Sequence, residues 1–105
     1  MKCSSRTALL LDADAAITGD RNNQYGPPSQ DFQRTAEALT ALGFRVRSVS
    51  GAPEYVPLEA HHVAIIMGAL KLSRLMWSPA NRDSWVDLAG YAACGYECVV
   101  EERNL

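Results

Sequence analysis

The sequence predicts an all-α fold of about four helices in an antiparallel bundle arrangement, with a short extended segment around 44–49. Three observations predict it. Apolar residues recur at three- and four-residue spacing in four segments. Glycines, prolines and short polar connectors separate those segments. The one stretch that reads as extended has no clear second strand to pair with.

Each helix has its own start and stop. Ser4 or Ser5 can cap a first helix that runs to about Thr18, with Leu9 or Leu10, Ala13 and Ile17 on its apolar side and Gly19 ending it. Ser29, after Pro27-Pro28, is an N-cap for a second helix in which Phe32, Ala36 and Leu39 share a face and Gly43 closes the end. Residues 44–57 read as an ordered linker. Pro57 suits the first turn of a third helix. The "VAIIMGAL" within that helix is apolar all round and predicts the central, most buried element. After "SPANR", a fourth helix starts near Asp83. Trp85, Leu88 or Ala89, Ala92, Tyr96 and Val99 mark its expected buried side, and Gly90 and Gly95 would let a neighbouring helix come close.

Composition bounds the function. The chain has 105 residues, 48% of them hydrophobic, enough for one domain over 1–105 with a modest core. Within it, 19–28 forms a polar loop and 43–57 a linker. Twelve acidic against ten basic residues leave a net charge of −2, which argues against extended nucleic-acid binding or attraction to an anionic membrane. Three cysteines, no secretory pattern at the start and no run of 18 apolar residues predict a reduced, cytoplasmic protein. The apolar third helix and glycine-bearing fourth exceed what two short helices can cover, which predicts a homo-oligomer.

Two polar constellations stand out. "GDRNNQYGPP", residues 19–28, supplies a carboxylate (Asp20), a planar cation (Arg21) and a stacking ring with a hydroxyl (Tyr25). Gly26 permits a positive φ, and two prolines stiffen the exit. Arginine with tyrosine suits a nucleotide, guanidinium for phosphate and ring for base. The same loop also reads as punctuation, Asp20 capping a turn and Tyr25 plugging the core.

On the fourth helix Asp83 and Asp87 fall at i, i+4, with Tyr91 one turn on, while Lys71 and Arg74 share a face of the helix before. One reading is an interhelical salt-bridge cluster. The other is a site where the two carboxylates hold a divalent cation, Mg²⁺ above all, and the two bases meet phosphate oxygens. Spacing alone leaves both open. His61-His62 with Cys94 and Cys98 offer zinc-capable atoms, but adjacent histidines point to different sides of a helix and CxxxC is not the usual spacing. "GALKLSR" lacks the phosphate-loop pattern GxxxxGK[ST].

Together, "TGDRNNQYGPPSQDFQRTA" and "KLSRLMWSPANRDSWVDLAGYAA" resemble the two signature blocks of a family of small, uncharacterised bacteriophage and prophage proteins, GDR…YG…P…F and then K…R…P…D…DxAGYA. The resemblance marks Asp20, Arg21, Tyr25, Gly26, Phe32, Lys71, Arg74, Asp83, Asp87, Gly90 and Tyr91. It implies a phage-encoded protein of the infected host's cytoplasm. A more distant similarity is to MazG-type all-α nucleotide pyrophosphohydrolases, whose acidic residues on two helices bind Mg²⁺, one set ExxE and the other ExxD-like. Asp83 and Asp87 resemble the second set, while the second helix offers Asp31 and Glu37 without an ExxE. Three functions follow as expectations. The first is binding of a nucleotide or other phosphorylated ligand by Asp20, Arg21, Tyr25, Gly26, Lys71, Arg74 and Tyr91. The second is Mg²⁺-dependent nucleoside triphosphate pyrophosphohydrolysis, and the third a non-enzymatic module that binds a host protein.

Overall fold

The computed structural model describes residues 4–19, 24–49 and 54–105. Four long helices carry the fold: α1 (Ser5–Thr18), α2 (Pro28–Ala41), α3 (Ala60–Trp77) and α4 (Arg82–Arg103). Between α2 and α3, β1 (Val46–Arg47) pairs antiparallel with β2 (Tyr55–Val56), Val46 opposite Val56 and Arg47 opposite Tyr55. The all-α expectation holds, and so does the extended segment. Its second strand is the surprise, because two residues beside Pro57 carry no strand periodicity of their own.

The helix ends follow local chemistry. Ser4 caps α1, its Oγ accepting from the Thr7 N–H at 3.1 Å. Gly19 stops α1 with an extended backbone rather than a left-handed one. Ser29 is not the N-cap of α2. The helix begins at Pro28, whose missing N–H is no loss in a first turn, with Pro27 before it. Gly43, at φ +103, closes α2 as expected. Pro57 lies ahead of α3 rather than in its first turn. Glu59 is the N-cap there, and its backbone N–H donates to His62 Nδ1 at 2.8 Å.

Two expectations about burial are corrected. Helix α3 is not surrounded: Ala60, Val63, Ala64, Gly68 and Leu75 are buried, but Ile65, Ile66, Leu70, Leu72, Met76 and Trp77 are exposed. The expected inner stripe of α4 faces largely outward, with Trp85, Ala92 and Tyr96 exposed and Leu88, Ala89 and Val99 half-buried. The buried stripe is instead Val86, Gly90, Cys94 and Cys98, at strict four-residue spacing, with Ser84 beside it. Small side chains are what close helix packing requires. A Cβ on Gly90 would lie 3.1 Å from Ile17 Cγ2 of α1, and one on Gly95 3.0 Å from Ala64 Cβ of α3. Both glycines therefore do what their positions suggested, while the larger apolar residues of α4 lie elsewhere.

The arrangement follows from these approaches. Helices α3 and α4 pack along each other, α1 leans on α4, and α2 bridges α3 and α4. Phe32, Ala36, Leu58, Ala60, Val63, Ala64, Cys94 and Cys98 form the core, with Ile17, Met67 and Tyr91 packed against it. The Leu58 N–H donates to Thr40 Oγ1 at 3.1 Å and ties the linker to α2. Among the described residues no helix is long and apolar enough to cross a membrane.

Candidate functional site

The two polar blocks meet. A pocket of about 70 Å³ is lined by Gly26, Pro28, Asp31 and Phe32 from the loop and α2, by Val86, Asp87, Gly90, Tyr91 and Cys94 from α4, and by Ile17 of α1. A wider groove of about 270 Å³ shares Asp31, Phe32 and Tyr91 with it and continues past Tyr25, Thr35, Val63 and Met67. Local structure explains the convergence. The Pro27-Pro28 exit starts α2 so that Asp31 falls in its first turn and Phe32 on its inner face. The small Gly90 lets α1 approach, which closes the far wall. Gly26 adopts φ +82, a conformation open to glycine without strain, and turns the chain into the pocket rim.

At the base of the cleft, the Phe32 and Tyr91 rings lie with centroids 6.3 Å apart and planes tilted by 36°. Asp31 and Asp87, from different helices, bring two carboxylates to the apolar pocket. Each has a cation at hand. Lys71 Nζ sits 2.8 Å from Asp87 Oδ2, the lysine side chain only 12% exposed. Arg34 Nη2 lies 3.7 Å from Asp31 Oδ1 and also donates to the Tyr25 carbonyl, holding the loop to α2.

Of the expected site residues, Tyr25, Gly26, Asp87 and Tyr91 line the cleft, and Lys71 joins it through Asp87. Arg74 and Asp83 do not join them. Both are exposed, and among the described residues neither side chain makes an ion pair or hydrogen bond. The four-residue cluster expected on α3 and α4 thus reduces to the Lys71–Asp87 pair. Asp20 and Arg21 lie outside the described residues. Arg34 was not singled out from the sequence. Its signal was the i, i+3 spacing from Asp31 on a helix leaving the loop.

A second polar cluster joins the start of α3 to the end of α4. Glu102 accepts from the His61 N–H at 3.1 Å and lies 2.7 Å from His61 Nδ1, while Glu59 Oε2 is 3.3 Å from the same nitrogen. Arg103 Nη1 stands 3.3 Å from Glu102 and 3.8 Å from Glu59. Three ligand atoms of Glu59, His61 and Glu102 lie within 4.8 Å of one another. The guanidinium already supplies their positive partner, so the cluster reads as a clasp between helix ends.

Its titration fits that role. Partial burial pulls the Glu102 carboxyl upward, but the His61 donors and the charges of His61 and Arg103 together hold it below its usual range. Burial, then the neighbouring His61 charge, lowers His62, whose Nδ1 must stay unprotonated to accept from Glu59. Burial, then the Glu102 charge, raises the Cys98 thiol to about 11, and among the described residues no cluster of three metal-ligating side chains includes Cys94 or Cys98.

Fold and cleft define a small helical protein in which residues 26–32 and 86–94, far apart in sequence, wall one cavity. The chain belongs to the family described as Domain of unknown function (DUF6378), whose model matches residues 8–99. It is 33% identical over 95 residues to the Gene 55 protein of Mycobacterium phage D29, covering 90% of this chain and 55% of that protein. It is 34% identical over 85 residues to the Gene 55 protein of Mycobacterium phage L5, covering 81% and 48%. The chain thus spans about half the length of these phage relatives. No solved structure matches.

Proposed function

We propose that the cleft binds a nucleotide or a similarly built phosphorylated ligand. One observation carries the reading: Gly26, Pro28 and Asp31 on one side and Asp87, Gly90 and Tyr91 on the other line a single pocket. Aromatic faces next to paired charges suit a ligand that is flat at one end and anionic at the other. Tyr91 and Phe32 offer the rings, and Lys71 and Arg34 offer cations for phosphate oxygens.

A second reading is Mg²⁺-dependent pyrophosphohydrolysis of a nucleoside triphosphate, distantly like the MazG-type enzymes. What favours it is Asp31 facing the same pocket as Asp87, since two carboxylates from different helices are a donor set Mg²⁺ accepts beside phosphate oxygens. In that reading Asp31 and Asp87 would hold the ion and Lys71 would move from carboxylate to phosphate.

Thermal unfolding against a panel of nucleoside mono- and triphosphates and cyclic dinucleotides, with and without Mg²⁺, tests binding. A ligand at a hundred times its Kd stabilises by about 2.7 kcal/mol, readily seen as a rise in Tm. The rise should vanish in Tyr91→Ala and be reduced in Asp87→Asn. A flat response to the whole panel contradicts the proposal. Pyrophosphate release from triphosphates, lost in Asp31→Asn, separates turnover from binding alone.

A further inference from the structure

We infer that the outer face of the α3–α4 pair is the interface of a homodimer, in which a second copy lays its own α3–α4 face across this one. The first argument is area. A folded monomer of 11.5 kDa is expected to expose about 5,800 Å². This chain exposes 7526 Å², an excess of about 1,700 Å², against the roughly 800 Å² per partner of a standard interface and more for an obligate one. Its radius of gyration, 15.4 Å, likewise exceeds the roughly 13 Å expected of a compact domain of this length. The chain leaves more surface open than a compact monomer of its size does.

The second argument is where the apolar surface lies. On α3, Ile65, Leu72 and Met76 fall on one stripe at i, i+7, i+11 and are all exposed. On α4, Trp85, Ala92 and Tyr96 repeat the same spacing. Between them runs a groove of about 280 Å³ whose lining includes Ala64, Gly68, Leu88 and Gly95. Ile65 is 64% exposed and Tyr96 69%. Among the described residues, apart from His61 at its end, no ionisable side chain but Tyr91 and Tyr96 lines the groove. An apolar surface of this extent on a monomer marks an interaction site.

The third argument selects the occupant. The face carries both halves of a helix-packing contact, a valley of small residues and the ridges beside it. A two-fold axis brings each copy's ridge onto the other's valley, the self-complementarity that an isologous interface requires. The result is a dimer with α3 and α4 from each chain at its centre. The proposed ligand cleft opens beside α1 and α2 and meets this groove only at Tyr91, so a copy seated on the α3–α4 face leaves its Gly26, Asp31 and Gly90 walls uncovered.

Light scattering coupled to gel filtration at tens of micromolar tests the inference. The expected mass is twice 11.5 kDa. Ile65→Glu and Tyr96→Glu, both at exposed positions, should each yield a monomer with unchanged helical circular dichroism and raise the dissociation constant at least ~100-fold. Leu10→Glu, on the exposed side of α1, should leave the dimer intact. A wild-type monomer at 100 µM overturns the inference. So does dissociation by Leu10→Glu with the α3–α4 variants still dimeric, which would put the interface, or another partner's site, elsewhere.

Discussion

Lys71 and Asp87 face each other across α3 and α4 at 2.8 Å, at the point where the fold's packing and its cleft meet. The pair joins two helices through charge, and one of its members also lines the pocket. Lys71 is nearly covered and Asp87 half-open, so the pair is neither a solvated surface bridge nor a dry internal one. A double-mutant cycle of Lys71→Met and Asp87→Asn should give a coupling of about 1 kcal/mol by urea unfolding. Perfect additivity would mean the contact does not hold the helices together.

Gly90 should resist enlargement. A Cβ there meets Ile17 Cγ2 at 3.1 Å, and a branched side chain has no room between α1 and α4. Gly90→Val should destabilise by about 1–3 kcal/mol through overpacking and narrow the pocket that Gly90 lines. Unfolding midpoints and the ligand response check the two effects separately. At Gly43 an added Cβ would meet nothing within 4 Å, but a substitution would be strained for another reason: the φ of +103 disfavours any side chain.

Acid should loosen the start of α3. His62 has a lowered folded pKa, so it stabilises the fold fully above the unfolded histidine value and loses that contribution as pH falls through the folded one. Protonating Nδ1 also removes the acceptor for the Glu59 N–H. Wild-type Tm should therefore fall between pH 7.5 and 5.5. His62→Gln, which keeps an acceptor without a titrating ring, should flatten that slope. Glu102 acts in a lower window. Its depressed carboxyl contributes above the usual glutamate range and is lost as pH drops through the folded value, so Glu102→Gln should blunt the further decline below about pH 4.5.

The core thiols should be silent. Cys98 is fully buried with its pKa pushed up to about 11, and Cys94 lies beside it on the same buried stripe. A thiol reagent at pH 8 should leave both unmodified in the native protein and label both in urea. Fast native labelling of Cys94 or Cys98 would mean α4 opens readily.

How much of this was legible beforehand depends on range. Ser4, Gly43, the inner face Phe32–Ala36 and the close approaches at Gly90 and Gly95 were readable, because caps and small residues act over one or two turns. The phase of α4 was not. Ranking by hydrophobicity chose Trp85, Ala92 and Tyr96, yet close packing selected Val86, Gly90, Cys94 and Cys98, since a helix approached from two sides has space only for small side chains. The β1–β2 pairing depends on a linker folding back, which two residues of pattern do not announce.

The site shows the same division. Tyr25, Gly26, Asp87 and Tyr91 were visible as unusual residues at turn and helix spacing, but their meeting depends on α2 and α4 converging. Arg74 and Asp83 shared helical faces with Lys71 and Asp87 without sharing a contact, because i, i+3 and i, i+4 spacing sets direction and not reach. Asp31 gained its place only once Pro27-Pro28 had fixed where α2 begins.

The most direct measurement of the central claim is isothermal titration with the ligand class that shifts Tm, with and without Mg²⁺, on wild type and Asp87→Asn. Binding to the cleft predicts saturable heat at one ligand per chain, weakened at least ~10-fold in the variant while its fold is retained. Equal affinity for wild type and Asp87→Asn, or no saturable binding at millimolar nucleotide, would contradict it.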